Sequence, residues 1–92
     1  MKYAIRESSQ YKKDYKAAIR RNLDIKLLDD VIIMLANGQT LPPRYRDHPL
    51  KGKYKGNREC HIQPDWLLVY CLKKDTLVLI LVQTGKHSEL FE

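Results

Sequence analysis

"WLLVYCLKKDTLVLILVQTG", Trp66 to Gly85, is the stretch on which the fold turns. It holds two unbroken apolar runs, "WLLVYCL" at 66–72 and "TLVLILV" at 76–82, bounded by the polar "KKDT" at 73–76. A strand with one wet face alternates apolar and polar residues, so an unbroken run has to be covered on both faces. The segment therefore reads as a hairpin of two central strands, and the rest of the chain must supply the cover.

Immediately upstream, "RECHIQ" at 58–63 does alternate: Cys60 and Ile62 share one face, while Glu59, His61 and Gln63 share the other. It reads as a third strand, turning at Pro64-Asp65 into the hairpin. At the start of the chain, "KYAIRE" (2–7) alternates Tyr3 and Ile5 against Lys2, Ala4 and Arg6, the pattern of a short strand. Ser8 or Ser9 then offers an N-cap, after which Tyr11, Tyr15, Ala18 and Ile19 recur at helical spacing, with Lys12, Lys13, Lys16, Arg20 and Arg21 on the remaining face. A second helix, capped by Asn22 or Asp24, buries Ile25, Leu28, Val31, Ile32 and Leu35 and stops at Asn37-Gly38. The proline-rich segment 39–55 reads as an irregular connection, and "KHSELFE" after Thr84-Gly85 as a single helical turn. The expected fold is α+β: a strand, two helices, then a mostly antiparallel sheet of three further strands, in one domain spanning 1–92.

The 92 residues are 43% apolar and 30% charged, which fits a folded chain with a thin core, not a disordered one. A formal charge of +6 favours polyanionic partners such as RNA, DNA, an anionic membrane or an acidic protein. No apolar stretch reaches the roughly 18 to 20 residues of a membrane span, and nothing resembles a signal peptide, so the expected location is the cytoplasm. Cys60 and Cys71 are expected to be reduced, buried thiols in that setting. The most basic tract is the connection itself, where Arg44, Arg46, Lys51, Lys53 and Lys55 oppose only Asp47 and are interleaved with Tyr45 and Tyr54, a pattern suited to phosphate contact and base stacking. A solvated loop has the same composition.

Proton-transfer chemistry points to histidine, whose unperturbed pKa lies nearest neutrality. His48 lies in the basic connection, His61 precedes a turn and His87 follows the last strand, so the topology can bring all three to one sheet edge. Each has a plainer reading: an isolated histidine is more often a surface or packing residue, Asp65 suits a turn after Pro64, Trp66 suits a core, and Phe91 can simply pin the tail. The histidines and Asp65 are legitimate metal ligands, but no short ligand spacing such as His-x-x-x-His is present, and no metal or other cofactor is expected. No helix-turn-helix pattern appears, so specific DNA binding by this chain alone is not expected.

Residues 47–70, "DHPLKGKYKGNRECHIQPDWLLVY", followed by "TGKHSELF" at 84–91, closely resemble the YafQ branch of the RelE/ParE superfamily, the toxins of bacterial type II toxin-antitoxin pairs. The resemblance implies a small α+β endoribonuclease that cuts mRNA on the 70S ribosome and is held inactive by a co-expressed antitoxin. It places His48, His61, Asp65 and His87 at catalytic positions, with Trp66 and Phe91 lining the site. Where family members carry a catalytic arginine before the Thr-Gly of the terminal motif, this chain has Gln83, which offers a phosphate only a neutral hydrogen bond. Lys86 and Arg58 are the nearest replacement cations in sequence. The implied reaction is metal-independent attack of a ribose 2′-OH on the adjacent phosphodiester, with His87 as general acid, His61 or Asp65 as base, and His48, Lys51, Lys53 and Lys55 on phosphate. The alternatives are a catalytically weak basic module that binds antitoxin or ribosome, or a ParE-like inhibitor of gyrase.

Overall fold

Alternate residues of the unbroken runs serve two different cores, one on each face of a single sheet. The computed structural model describes residues 1–91. They run in the order β1 (Ala4–Glu7), α1 (Ser9–Arg20), α2 (Ile25–Ala36), β2 (His48–Pro49), β3 (Arg58–Gln63), β4 (Trp66–Lys73), β5 (Val78–Gly85) and α3 (His87–Leu90). Two single 3-10 turns, Pro43–Tyr45 and Gly52–Tyr54, shape the connection between α2 and β3. The strands lie in the order β1-β5-β4-β3-β2, with β1 parallel to β5 and every other pair antiparallel.

Helices α1 and α2 cover the first face. Tyr11 and Ala18 of α1 and Leu28, Val31, Ile32 and Leu35 of α2 are buried with Cys60, Ile62, Trp66, Leu68, Tyr70, Leu79 and Leu81 of the sheet. On the second face Leu67 and Val69 are buried under Leu90, with Leu50, Val82 and Phe91 packed around them. The cover there comes from α3 and the basic connection, two short pieces, which leave His61, Gln83 and Gly85 only half-buried. Polarity in the strands follows from that difference.

Local chemistry accounts for the boundaries. Ser8 is the N-cap of α1, its hydroxyl accepting the Tyr11 N–H at 2.9 Å and donating to the Val82 carbonyl at 2.5 Å. One side chain thus starts a helix and ties it to β5. Asn37 ends α2, and Gly38 at φ +77° takes the left-handed position that follows, where a Cβ would lie 2.9 Å from the Lys2 side chain.

Four expectations change. Ile19 is 52% exposed, because α1 is buried only along its Tyr11 and Ala18 line. Leu77 belongs to the hairpin turn, at φ 56° and exposed, so β5 begins at Val78 and not at Thr76. The sheet has five strands where four were expected, since His48–Pro49 pairs with the start of β3 inside the supposed irregular connection. Cys60 is buried but Cys71 only half-buried; both are free, and burial pushes the Cys60 thiol up to about 12. No helix among the described residues is long and apolar enough to cross a membrane.

Candidate active site

Strand register builds the site. His48 pairs with Glu59, Glu59 with Val69, and Val69 with Gln83, so these four form one row across β2, β3, β4 and β5 on the second face. The next row toward the β3–β4 turn is His61, Leu67 and Gly85. Because Val69 opposes Gln83 while Tyr70 opposes Leu81, Val82 is an extra residue that bulges β5. The Ser8 hydroxyl holds that bulge through the Val82 carbonyl.

The histidines differ in what the fold leaves free. His48 has its Nδ1 2.6 Å from the Arg46 carbonyl and its Nε2 2.9 Å from Glu59 Oε2. A carbonyl can only accept, so Nδ1–H donates to it, while Nε2 faces the Glu59 carboxyl. Both nitrogens are therefore committed within the protein. Glu59 is 6% exposed, and its other oxygen, Oε1, is buried with no hydrogen-bond partner among the described residues. His61 is half-buried, its Nδ1 3.3 Å from the Pro64 carbonyl, so Nδ1–H donates there and Nε2 remains available.

His87 is exposed at the first position of α3, its ring centroid 5.1 Å from that of Phe91. Phe91 meets Tyr54 edge-on at 5.0 Å, and the Tyr54 hydroxyl donates to the Leu90 carbonyl at 3.4 Å. Lys53 lies 5.3 Å over the Tyr54 ring, so this aromatic stack also locates the lysine-bearing turn. The other end of α3 is tied to α1: Arg21 donates to both oxygens of Glu89, one at 3.1 Å, and the Lys86 N–H donates to Glu89 at 2.8 Å. The Arg21 bonds, then the Lys86 N–H, hold the Glu89 carboxyl down at about 2. From His61 to Gly85, which precedes α3, the sheet spans two strand spacings, about 10 Å.

One expected site residue lies elsewhere, and another meets the site only from within the core. Arg58 donates to Asp47 at 3.3 and 3.1 Å, Asp47 also accepts from the Tyr70 hydroxyl, and Arg58 is paired with Tyr70 on the helix-covered face. It is on the wrong side of the sheet to replace the arginine missing at Gln83. Trp66 is 3% exposed in the helix-side core, its indole N–H donating to Thr84 Oγ1 at 3.0 Å, so it offers no open ring for a base. It instead forms the base of a cleft of about 460 Å³ shared with Gln63, Asp65 and Lys86. Asp65 is an exposed turn residue on that rim, and Lys51, Lys53, Lys55 and Lys86 are exposed.

The structure thus brings His48, His61 and Gln83 onto one face with His87 and Phe91 above it, and adds Glu59, which sequence reasoning left as a face partner of His61. Its burial follows from the cover that β2 provides. Among the described residues no three His, Cys, Asp or Glu side chains are grouped as metal ligands.

Comparison with known proteins gives this geometry a class. Residues 3–92 match the family profile described as the bacterial toxin of type II toxin-antitoxin system, YafQ. Over 88 residues, 95% of this chain and 94% of the relative, the sequence is 42% identical to the mRNA interferase toxin YafQ of Escherichia coli K12. The toxin in the crystal structure of the E. coli DinJ-YafQ toxin-antitoxin complex superposes with a TM-score of 0.90 at 40% identity, covering 100% of both chains. A metal-bound toxin from Helicobacter pylori does so with a TM-score of 0.91 at 49% identity, over 97% of this chain and 99% of that one. The fold and the matches define a type II toxin of the small α+β kind. Within that class, this chain belongs to the YafQ family.

Proposed function

We propose that the protein is an mRNA interferase, the toxin of a type II toxin-antitoxin pair, and that it cuts messages on the ribosome by attack of a ribose 2′-OH on the adjacent phosphodiester. His61 takes the 2′-OH proton at Nε2, its ring fixed through Nδ1 to Pro64. His87 gives a proton to the departing 5′-oxygen. The products are a 2′,3′-cyclic phosphate and a 5′-OH. His48 and Glu59 act as a positioning pair, because neither nitrogen of His48 is free to meet substrate. Gln83 donates a neutral hydrogen bond to the phosphoryl oxygens, and Lys51, Lys53, Lys55 and Lys86 supply the positive field around it. Asp65, exposed at the turn, borders the site.

The observation that carries this reading is the register that puts His61 and the strand leading to His87 on either side of β4, one imidazole with an available nitrogen on each flank. The reaction needs its base and its acid on opposite sides of the scissile phosphate. The relative crystallised as the DinJ-YafQ complex supports a cognate antitoxin as partner, and a ribosome-bound substrate implies action in the cytoplasm.

Gln83 favours a second reading, a binding module too weak in charge at the phosphate to cut. Induced expression with and without the antitoxin, followed by mapping of mRNA 5′ ends, separates the two. Growth arrest accompanied by new ends within reading frames supports the interferase, whereas arrest without them supports the binding module.

A further inference from the structure

Strand β2 pairs only with Arg58 and Glu59, so the outer edge of β3 around His61 is left unpaired. A groove of about 490 Å³ opens there, between the first turn of α2 and the 3-10 turn Pro43–Tyr45. Leu27, Arg44, Tyr45, Arg46, His61 and Pro64 line it, and no carboxylate among the described residues does. It lies on the far side of His61 from His87.

Its chemistry is specific. The Arg44 guanidinium sits 4.7 Å over the Tyr45 ring and donates to the Tyr45 hydroxyl at 3.0 Å, while the ring packs against the helix-side core. A guanidinium fixed against an aromatic ring offers its outer plane to a stacking base, with little ordering left to be done on binding. Arg46 follows in the left-handed region at φ 50°, uncommon for a residue with a side chain, and its carbonyl is the one that accepts from His48. That turn leaves the Arg46 side chain exposed beside His61.

We propose that this groove is the subsite for the nucleotide on the 5′ side of the cut, with its base stacked on Arg44 and its phosphate met by Arg46. The proposal rests on the ribonuclease reading above. In that reaction the attacking 2′-OH belongs to the 5′ nucleotide and meets His61, which borders the groove, while the departing oxygen belongs to the 3′ nucleotide and meets His87. The RNA strand therefore runs 5′ to 3′ from the groove toward α3.

The test is single-turnover cleavage of a ribosome-bound message at subsaturating toxin, with an abasic nucleotide placed either 5′ or 3′ of the mapped cut. Loss of the 5′ base should slow wild type about thirtyfold, the middle of the range for one stacked base. Arg44→Ala should be about as slow on the intact message and no slower on the 5′-abasic one, whereas the 3′-abasic message should slow both proteins equally. Arg44→Lys, which keeps the charge without the plane, should behave like Arg44→Ala. Arg44 is exposed, so its loss leaves the fold standing. Wild-type cleavage by Arg44→Ala, rescue by lysine, or penalties that multiply would each overturn the subsite and leave the ribonuclease reading intact; no cleavage by wild type would remove both.

Discussion

At the scale of single residues, the division of labour follows from hydrogen-bond capacity. His48 has both nitrogens engaged within the protein, His61 one, and His87 none among the described residues, so availability to exchange a proton with substrate rises in that order. His87→Ala should lower single-turnover cleavage by about 10² to 10⁴ with ribosome affinity nearly unchanged, the size of a lost general acid. A loss confined to affinity would make His87 a binding residue instead. Gln83→Arg should raise the rate about fivefold, because charge-assisted hydrogen bonds exceed neutral ones by about 1 kcal/mol. No change would mean that one of the exposed lysines already meets the phosphate, and Lys86→Ala would then slow cleavage by a similar factor. Residue types and positions were legible in the sequence, down to the glutamine in place of an arginine. What was not legible was partnership: Arg58 is spent on Asp47 across the other face, and Trp66 on Thr84, both consequences of which face a strand turns to the helices.

At the scale of elements, the central hairpin and β3 were readable because apolar periodicity reports directly on cover. Strand β2 was not, since two residues carry no period and its pairing depends on where the connection is pinned by Tyr54 against Phe91 and Leu90. Helix α3 was readable as one turn, but not its anchor. That anchor makes a pH prediction. Glu89 is held at about 2 in place of the ordinary 4.5, so its ionised form favours the docked turn. The contribution is complete above about pH 4.5 and is lost as pH falls toward about 2. The pair is well exposed, with side-chain accessibilities of 45% and 39%, so solvent screens it and the effect belongs to α3, not to global stability. Amide resonances of Ser88 and Leu90 should move toward coil positions over that window in wild type. In Glu89→Gln they should already lie there at pH 6, with cleavage reduced severalfold because His87 is less well placed. Resonances that titrate identically in the two proteins would disconnect Glu89 from α3.

At the scale of the whole molecule, a charge of +6 is carried largely by two basic surfaces: the exposed Lys12, Lys13, Lys16 and Arg20 of α1, on the helix-covered side of the sheet, and the connection from Arg44 to Lys55, beside the site. An acidic antitoxin segment that folds over them should bind with strong salt dependence. Reversing Lys12, Lys16 and Arg20 together should weaken the complex at least tenfold at low salt; Arg21 is left out because Glu89 already holds it. Indifference to salt and to these reversals would locate the antitoxin on an apolar surface. The central claim, 2′-OH attack governed by two histidines on one sheet face, has a more direct test. Ribosomes programmed with a message carrying a single 2′-deoxynucleotide on the 5′ side of the mapped cut should not be cleaved at that bond, while the all-ribose message gives a 2′,3′-cyclic phosphate and a 5′-OH. Cleavage at the deoxy position, or a 5′-phosphate on the downstream fragment, would contradict the account.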